Sequence, residues 1–275
     1  MSNDYIEIDI KTSAETAEIL MALLSDLPFE MFEENPEGVK AYVKKRDYSE
    51  DIDNYLAELQ DSIEFSFEKN QIESQNWNEV WESNFHPLRI GDFCGIRATF
   101  HDSLQPIEHE LIINPKMAFG TGHHETTHLV IEAMQYLDLK GKTVLDYGCG
   151  TGILSFLAKK LGTGALEAID NDYPAYESTV ENSEINNTPL EKIKLGTLDD
   201  VEGTDFEIIL ANINRNVIIA SLSGLYEKLK KGGTLITTGF LDTDETVMLE
   251  EFAKNNFTIL EKTTRGYWIC FKLTK

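Results

Sequence analysis

Residues 144–152, Val-Leu-Asp-Tyr-Gly-Cys-Gly-Thr-Gly, constrain the fold of this 275-residue chain more than any other segment. A short apolar run ends in an acid, Asp146, and opens into glycines at alternate positions, Gly148, Gly150 and Gly152. A helical pattern follows through Ile153, Leu154, Leu157 and Leu161, and a second apolar run then ends in Asp170. Strand, glycine turn, helix and strand make the first βαβ unit of an open α/β sheet, where bare backbone lets a ligand approach. The glycine spacing separates the candidate ligands. A dinucleotide pyrophosphate calls for G-x-G-x-x-G at a helix N-terminus. Here the spacing is G-x-G-x-G, and Asp146 lies two residues before the first glycine, where it would repel a pyrophosphate. That pattern suits a ligand with a cationic amino-acid end, as in S-adenosylmethionine, with Asp170 accepting from ribose hydroxyls. The alternative is a tight strand-to-helix turn that holds no ligand.

From Thr143 onward strand and helix patterns alternate, with strands near 143–147, 166–170, 192–196, 206–212 and 234–239. Two final apolar stretches, 257–263 and 266–273, are close enough to pair as an antiparallel hairpin. A parallel sheet ending in such a pair predicts an α/β fold, a Rossmann-like S-adenosylmethionine methyltransferase sheet. The N-terminal region reads differently. Residues 4–10 alternate polar and apolar, Ser13 caps a helix through Ile19, Leu20, Leu23 and Leu24, and strands at 29–34 and 38–44 flank the turn Asn35-Pro-Glu-Gly38. A helix over 49–60 and a strand over 62–68 complete the order βαββαβ, a small ferredoxin-like α+β domain. The boundaries expected are a recognition domain at 1–69, an interdomain linker helix at 70–90 and a catalytic domain at 91–275. In the linker, Trp77, Trp81 and Phe85 share one helical face until His86-Pro87 ends it; they suit packing between domains, or a substrate-facing patch. Strands are also predicted at 93–100 and 108–113.

Charge bears on the partner. The net charge is −24, and residues 1–83 hold 21 acidic and 6 basic side chains, a net of −15. Such a field repels nucleic acid and anionic membranes and favours a basic partner, although it also serves solubility. No apolar run approaches the ~18 residues of a membrane span, and the first residues carry no secretory pattern. Cys94, Cys149 and Cys270 are odd in number and widely spaced, so a disulfide framework or zinc site is not expected and a reducing cytoplasm fits. Cys149 supplies the small side chain a glycine loop needs; a catalytic thiol is the lesser reading.

Two further segments reach the carboxyl ends of the predicted strands. Ile208-Ile-Leu-Ala-Asn212 leaves Asn212 at the sheet's rim, where an amide either orients an amine nucleophile or caps the connection to the next helix. The loop Asn114-Pro-Lys-Met-Ala-Phe-Gly-Thr-Gly-His-His-Glu-Thr-Thr127 opens a helix over 125–137, with Thr126 and Thr127 placed to satisfy free N–H groups or to touch the carboxylate of a methionine moiety. His123, His124 and Glu125 do not form a metal cluster, because adjacent histidines cannot both face one ion from a helix, and the His124/His128 pair has no third ligand. His124 is either structural or a hydrogen-bonding or proton-accepting group beside the amine.

Together, Ala118–Thr127, Val144–Gly152, Ala168-Ile-Asp-Asn-Asp172 and Leu210-Ala-Asn-Ile213 resemble the ribosomal protein L-eleven methyltransferase (PrmA) family over essentially the whole chain. The Gly-Thr-Gly-x-His-x-Thr-Thr loop narrows the family; the glycine motif alone indicates a methyltransferase. Members often have Pro at the position of Glu125, and Asp-Ile-Asp-Pro where this chain has 169–172. The resemblance implies cofactor contacts at Thr127, Gly148, Asp170 and Asn212, beside Asp146, Gly150 and Gly152 from the motif itself. It implies a protein N-methyltransferase that modifies lysine and N-terminal amines of the basic large-subunit ribosomal protein L-eleven, held by the N-terminal domain and presented through a bending linker. Another protein or a small-molecule amine is the alternative substrate. A base methyltransferase is disfavoured because the residues after Asn212 lack the Pro-Pro-aromatic run, and a non-catalytic binding module stays open.

Overall fold

A computed structural model describes residues 5–72, 86–114, 122 and 124–275. The chain divides into two compact units, residues 1–80 and 81–275. The expected linker aromatics Trp77, Trp81 and Phe85 lie outside the described residues.

In the first unit, β1 (Tyr5–Lys11) buries Ile6, Ile8 and Ile10 at alternate positions, as a strand with one covered face must. Helix α1 (Ala14–Leu24) begins where Ser13 Oγ accepts from the Thr16 N–H at 3.2 Å, and it lays Ala17, Leu20 and Leu24 into the same core. Strands β2 (Phe29–Asn35) and β3 (Gly38–Lys44) form the hairpin, and α2 (Glu50–Gln60) adds Ile52 and Leu56, with acids in its first turn matching the helix dipole. Strand β4 (Ser66–Ile72) closes an antiparallel sheet of order β2-β3-β1-β4, the ferredoxin-like arrangement. It starts four residues later than the expected 62–68. The N–H groups of Ser62 and Ile63 bond back to the Leu59 carbonyl, which extends the end of α2 before the chain pairs with β1.

The second unit begins with a small sheet, β5 (Leu88–Ile90), β6 (Cys94–Arg97) and β7 (His109–Ile112), shorter than the strands expected at 93–100 and 108–113. The chain curls away after Arg97, whose guanidinium donates to the Ala98 and His101 carbonyls at 3.0 Å each. Next come α3 (Glu125–Gln135), β8 (Val144–Tyr147), α4 (Ile153–Lys160), β9 (Leu166–Asp170), α5 (Tyr173–Ile185) and β10 (Lys192–Leu195). The remainder is β11 (Phe206–Asn212), α6 (Arg215–Lys228), β12 (Leu229–Leu241), α7 (Glu245–Lys254), β13 (Thr258–Arg265) and β14 (Trp268–Thr274). Strand β12 begins five residues before the expected 234, because Leu229 already pairs with Phe206 ahead of a register shift.

These strands form one seven-stranded sheet of order β10-β9-β8-β11-β12-β14-β13, parallel except for β14, which runs antiparallel to both neighbours. The C-terminal hairpin is therefore present as expected. One core joins Leu145, Ile169, Ile209 and Leu235 of the strands to Ile218, Leu222 and Leu225 of α6 and Met248 and Phe252 of α7. Strand order reverses between β8 and β11, which opens a crevice outside their carboxyl ends. No helix among the described residues is long and apolar enough to cross a membrane.

Candidate active site

Strand β8 buries Val144 and Leu145 completely and carries Asp146 in after them, leaving it 1% exposed. Asp146 Oδ2 accepts from Ser155 Oγ at 2.6 Å, but Oδ1 has no partner. Loss of water, and secondarily the nearby Asp170 charge, push this carboxyl up to about 7. A buried acid with an unused oxygen at a strand end is a site prepared for a cation or a donor.

The glycine loop crosses directly above. Gly148, Gly150 and Gly152 have φ of +74°, +56° and +80°, in the left-handed region. At Gly148 the constraint is doubled, because a Cβ there would overlap Ile213 Cγ2 from the end of β11. The loop's donors are consumed internally. The Gly148 and Cys149 N–H groups donate to the Ile169 carbonyl (2.9 and 3.1 Å), Gly152 N–H to the Cys149 carbonyl (2.8 Å), and Gly150 N–H to Asp170 Oδ2 (2.9 Å). Asp170 Oδ1 accepts from the Asp172 N–H at 3.0 Å, so each carboxylate oxygen keeps acceptor capacity for a ribose diol. Cys149 is buried with Sγ 3.4 Å from Thr179 Oγ1, and burial followed by the Asp146 charge pushes its thiol well up, which removes the catalytic-thiol reading.

Asn212 ends β11, and its Nδ2 donates to Thr127 Oγ1 at 3.2 Å. Thr127 is buried in the first turn of α3, so this bond ties the rim of the sheet to that helix and leaves Asn212 Oδ1 as an acceptor. His124 is the N-cap of α3. Its Nδ1 accepts from the Thr126 N–H (3.3 Å) and lies 2.8 Å from Thr126 Oγ1, while the ring meets Trp268 edge-on at 4.4 Å between centroids. Desolvation by neighbouring atoms lowers its pKa to about 4 although the residue as a whole is exposed, so the imidazole is neutral at pH 7. With Nδ1 accepting, Nε2 carries the proton and His124 presents a donor rather than a base. Arg265 pairs with Glu125 in the same turn. His123 and residues 115–121 lie outside the described residues, and among those described no cluster of three His, Cys, Asp or Glu could hold a metal ion.

At the carboxyl ends of β8, β9 and β11 stand Asp146, the glycine loop, Asp170 and Asn212, with Asn212 bonded to Thr127 and His124 capping that threonine's helix. Asn214, for which the sequence suggested no role, caps α6 by accepting from the Val217 N–H at 3.0 Å. Sequence reasoning missed Ser155, Ile213 and Trp268, and also Thr179 and Asn182 of α5. For the last two a signal existed: Ser178, Thr179, Asn182 and Asn186 put four buried polar side chains on a helix face that would ordinarily be apolar.

Residues 6–275 match the family model described as ribosomal protein L11 methyltransferase (PrmA). The chain is similar to ribosomal protein L11 methyltransferases of Porphyromonas gingivalis, 38% identical over 94% of this chain and 91% of that protein, and of Bacteroides thetaiotaomicron, 36% identical over 98% and 99%. Among solved structures it resembles ribosomal protein L11 methylase from Lactobacillus delbrueckii subsp. bulgaricus, with a TM-score of 0.65 and 27% identity over 70% of this chain and 99% of that one.

Proposed function

The chain belongs to the ribosomal protein L11 methyltransferase (PrmA) family, and from that premise we propose that it transfers methyl groups from S-adenosylmethionine to lysine and N-terminal amines of ribosomal protein L11. The observation that carries the cofactor reading is Asp146, a buried acid whose Oδ1 is unpartnered beneath a loop with committed donors. Such a place rejects a pyrophosphate and accepts an ammonium. Asp146 would hold the amino group of the methionine moiety, Asp170 the ribose hydroxyls, and Thr127 the methionine carboxylate at the α3 N-terminus. Gly148, Gly150 and Gly152 keep the loop's backbone close and unobstructed.

When bound, the cofactor supplies an electrophilic methyl group on a sulfonium centre. The protein's task is to present a neutral amine in line with it. A free lysine with pKa ~10.4 is neutral in about one molecule of 2,500 at pH 7, a cost of roughly 4.6 kcal/mol. Asn212 Oδ1 accepts an N–H of the neutral amine and aims its lone pair, and Thr127 fixes the amide in that orientation. His124 holds the α3 N-terminus in place and offers its Nε2–H as a donor; the amine's proton leaves to water. The acidic N-terminal unit grips the basic substrate, and no nucleic acid or membrane takes part. The reaction belongs in the cytoplasm, where the ribosomal protein is made.

The test is incubation of the purified protein with methyl-labelled cofactor and recombinant, unmethylated ribosomal protein L11, followed by mass spectrometry. Label on L11 lysines and the N-terminal amine is expected. Label absent from L11 but present on another protein or a small amine in ribosomal extract would move the activity to the alternative substrate class.

A further inference from the structure

Helix α5 carries no residue of the cofactor contact set, yet its buried face is polar. Thr179 Oγ1 donates to the Gly150 carbonyl at 2.8 Å. Asn182 Nδ2 donates to the Thr151 carbonyl at 3.0 Å, while its Oδ1 accepts from the Asn114 N–H at 2.8 Å. One turn further, Asn186 donates to the Ile112 carbonyl at 2.6 Å and accepts from the Ile112 N–H at 2.9 Å. Asn182 and Thr179 are wholly buried, so these bonds are made without competition from water.

The partners of Asn182 are what distinguish it. Thr151 lies within the glycine loop, whose neighbouring N–H at Gly150 is held by Asp170. Asn114 lies two residues beyond the end of β7, so the same side chain also fixes the backbone where the chain leaves that strand. One side-chain amide thus bridges the backbone of the glycine loop to that of the residue leaving β7, whereas Asn186 touches β7 and its own helix but not the glycine loop. Resting on the cofactor reading above, we infer that Asn182 is a positioning residue that fixes the glycine loop against the end of β7 and so governs cofactor affinity while leaving the methyl-transfer step unchanged.

The test compares Asn182→Ala, Asn182→Asp and Asn186→Ala with the wild-type protein, using calorimetry for cofactor binding, steady-state kinetics and thermal unfolding. Losing three buried neutral hydrogen bonds, the third from Asn182 Nδ2 to Ser178 Oγ at 3.3 Å, predicts a rise on the order of tenfold or more in the Kd and KM for S-adenosylmethionine in Asn182→Ala, with kcat at saturation within about threefold of wild type. Asn182→Asp conserves shape and the arm to Asn114, loses the donor to Thr151, and shows the same split should the alanine variant not fold. Asn186→Ala loses comparable thermal stability but keeps cofactor affinity within about threefold. The inference is overturned if a folded Asn182 variant binds the cofactor as tightly as wild type, if kcat falls instead, or if Asn186→Ala weakens binding equally. Wild-type protein that fails to bind the cofactor at all overturns both this inference and the reading beneath it.

Discussion

Replacing Asp146 with asparagine should change apoprotein stability and cofactor affinity in opposite directions. In the folded chain the carboxyl is pushed from 3.8 to about 7, chiefly by burial. Its folded-state pKa lies above the unfolded value, so between those pH values the native state holds a proton that the unfolded state has lost. Stability from this group therefore falls as pH rises from about 4 to 7 and stays low above that. At 1.36 kcal/mol per pH unit the gap amounts to roughly 4 kcal/mol at pH 8. The amide side chain would remove that penalty and keep the bond from Ser155, but it would put an N–H where Oδ1 has no partner, at a cost of about 1–2 kcal/mol. The net expectation for Asp146→Asn is about 2 kcal/mol of added apoprotein stability at pH 8, or several degrees in Tm for a unit of this size. At pH 5, where only about a third of that penalty has accrued (~1.7 kcal/mol), it offsets the cost of the unpartnered N–H and the variant should match the wild type. Cofactor binding should weaken about tenfold or more at pH 8, because a charge-assisted contact to an ammonium is lost. Wild-type affinity should also decline as pH drops below about 7, a dependence absent from the variant. Thermal unfolding with and without S-adenosylmethionine from pH 5 to 8.5, paired with calorimetry, measures all of these. A variant less stable than wild type at pH 8, or one with unchanged cofactor affinity, refutes the reasoning.

Gly148→Ala should abolish measurable cofactor binding, since its Cβ meets both a left-handed φ and Ile213; adding Ile213→Ala should recover only the steric share, and full recovery by calorimetry would show that φ strain is unimportant. Asn212→Ala should lower kcat by about a hundredfold while raising the cofactor KM only modestly, and steady-state kinetics that show full activity would end its proposed orienting role. Thr127→Val, which keeps the shape but loses the bond to Asn212, should reproduce part of that kcat loss in the same assay. His124→Asn should retain most of the cap and His124→Ala should lose about 1 kcal/mol in denaturant unfolding, and the wild-type kcat–pH profile should show no pKa near 6 that either variant removes.

Local pattern carried the legible part of this molecule. The glycine spacing and the two strand-ending acids are encoded within about thirty residues, so Asp146, Asp170 and the crossover between them could be read directly. The hairpin at the C-terminus and the order βαββαβ were equally accessible, because alternation and turn residues are local. Boundaries shifted where the backbone took partners that pattern does not report: Ser62 and Ile63 stayed with the end of α2, and residues 229–233, ahead of the expected start at 234, joined β12. What could not be read were contacts between distant segments. Ile213 pressing on Gly148, Thr127 fixing Asn212 and Asn182 reaching Asn114 each depend on how the sheet is stacked. His124 is open in the sequence between a structural and a hydrogen-bonding role, and its Nδ1 takes the place of an N-cap serine or asparagine oxygen, a contact that depends on how the helix starts.

The loop's own hydrogen bonds favour the proposed cationic ligand over a pyrophosphate in this α/β crevice. In a dinucleotide site the glycine turn leaves backbone N–H groups pointing at the pyrophosphate. Here the N–H groups of Gly148, Cys149, Gly150 and Gly152 are all directed inward, to Ile169, Cys149 and Asp170. Turning them outward would break the bond that holds Asp170 and leave the Ile169 carbonyl short of donors. Charge then decides the matter. With the loop's donors committed, the strongest unmet demand at the strand ends is for a positive group beside Asp146, and the apoprotein bears that demand as lost stability at neutral pH. In the proposed arrangement, a cofactor with an ammonium at one end and a ribose diol at the other would relieve both acids at once. On the proposed contacts, the cost of burying the Asp146 carboxylate would be part of what makes the cofactor bind, and for that reason the Asp146 substitution should separate stability from affinity.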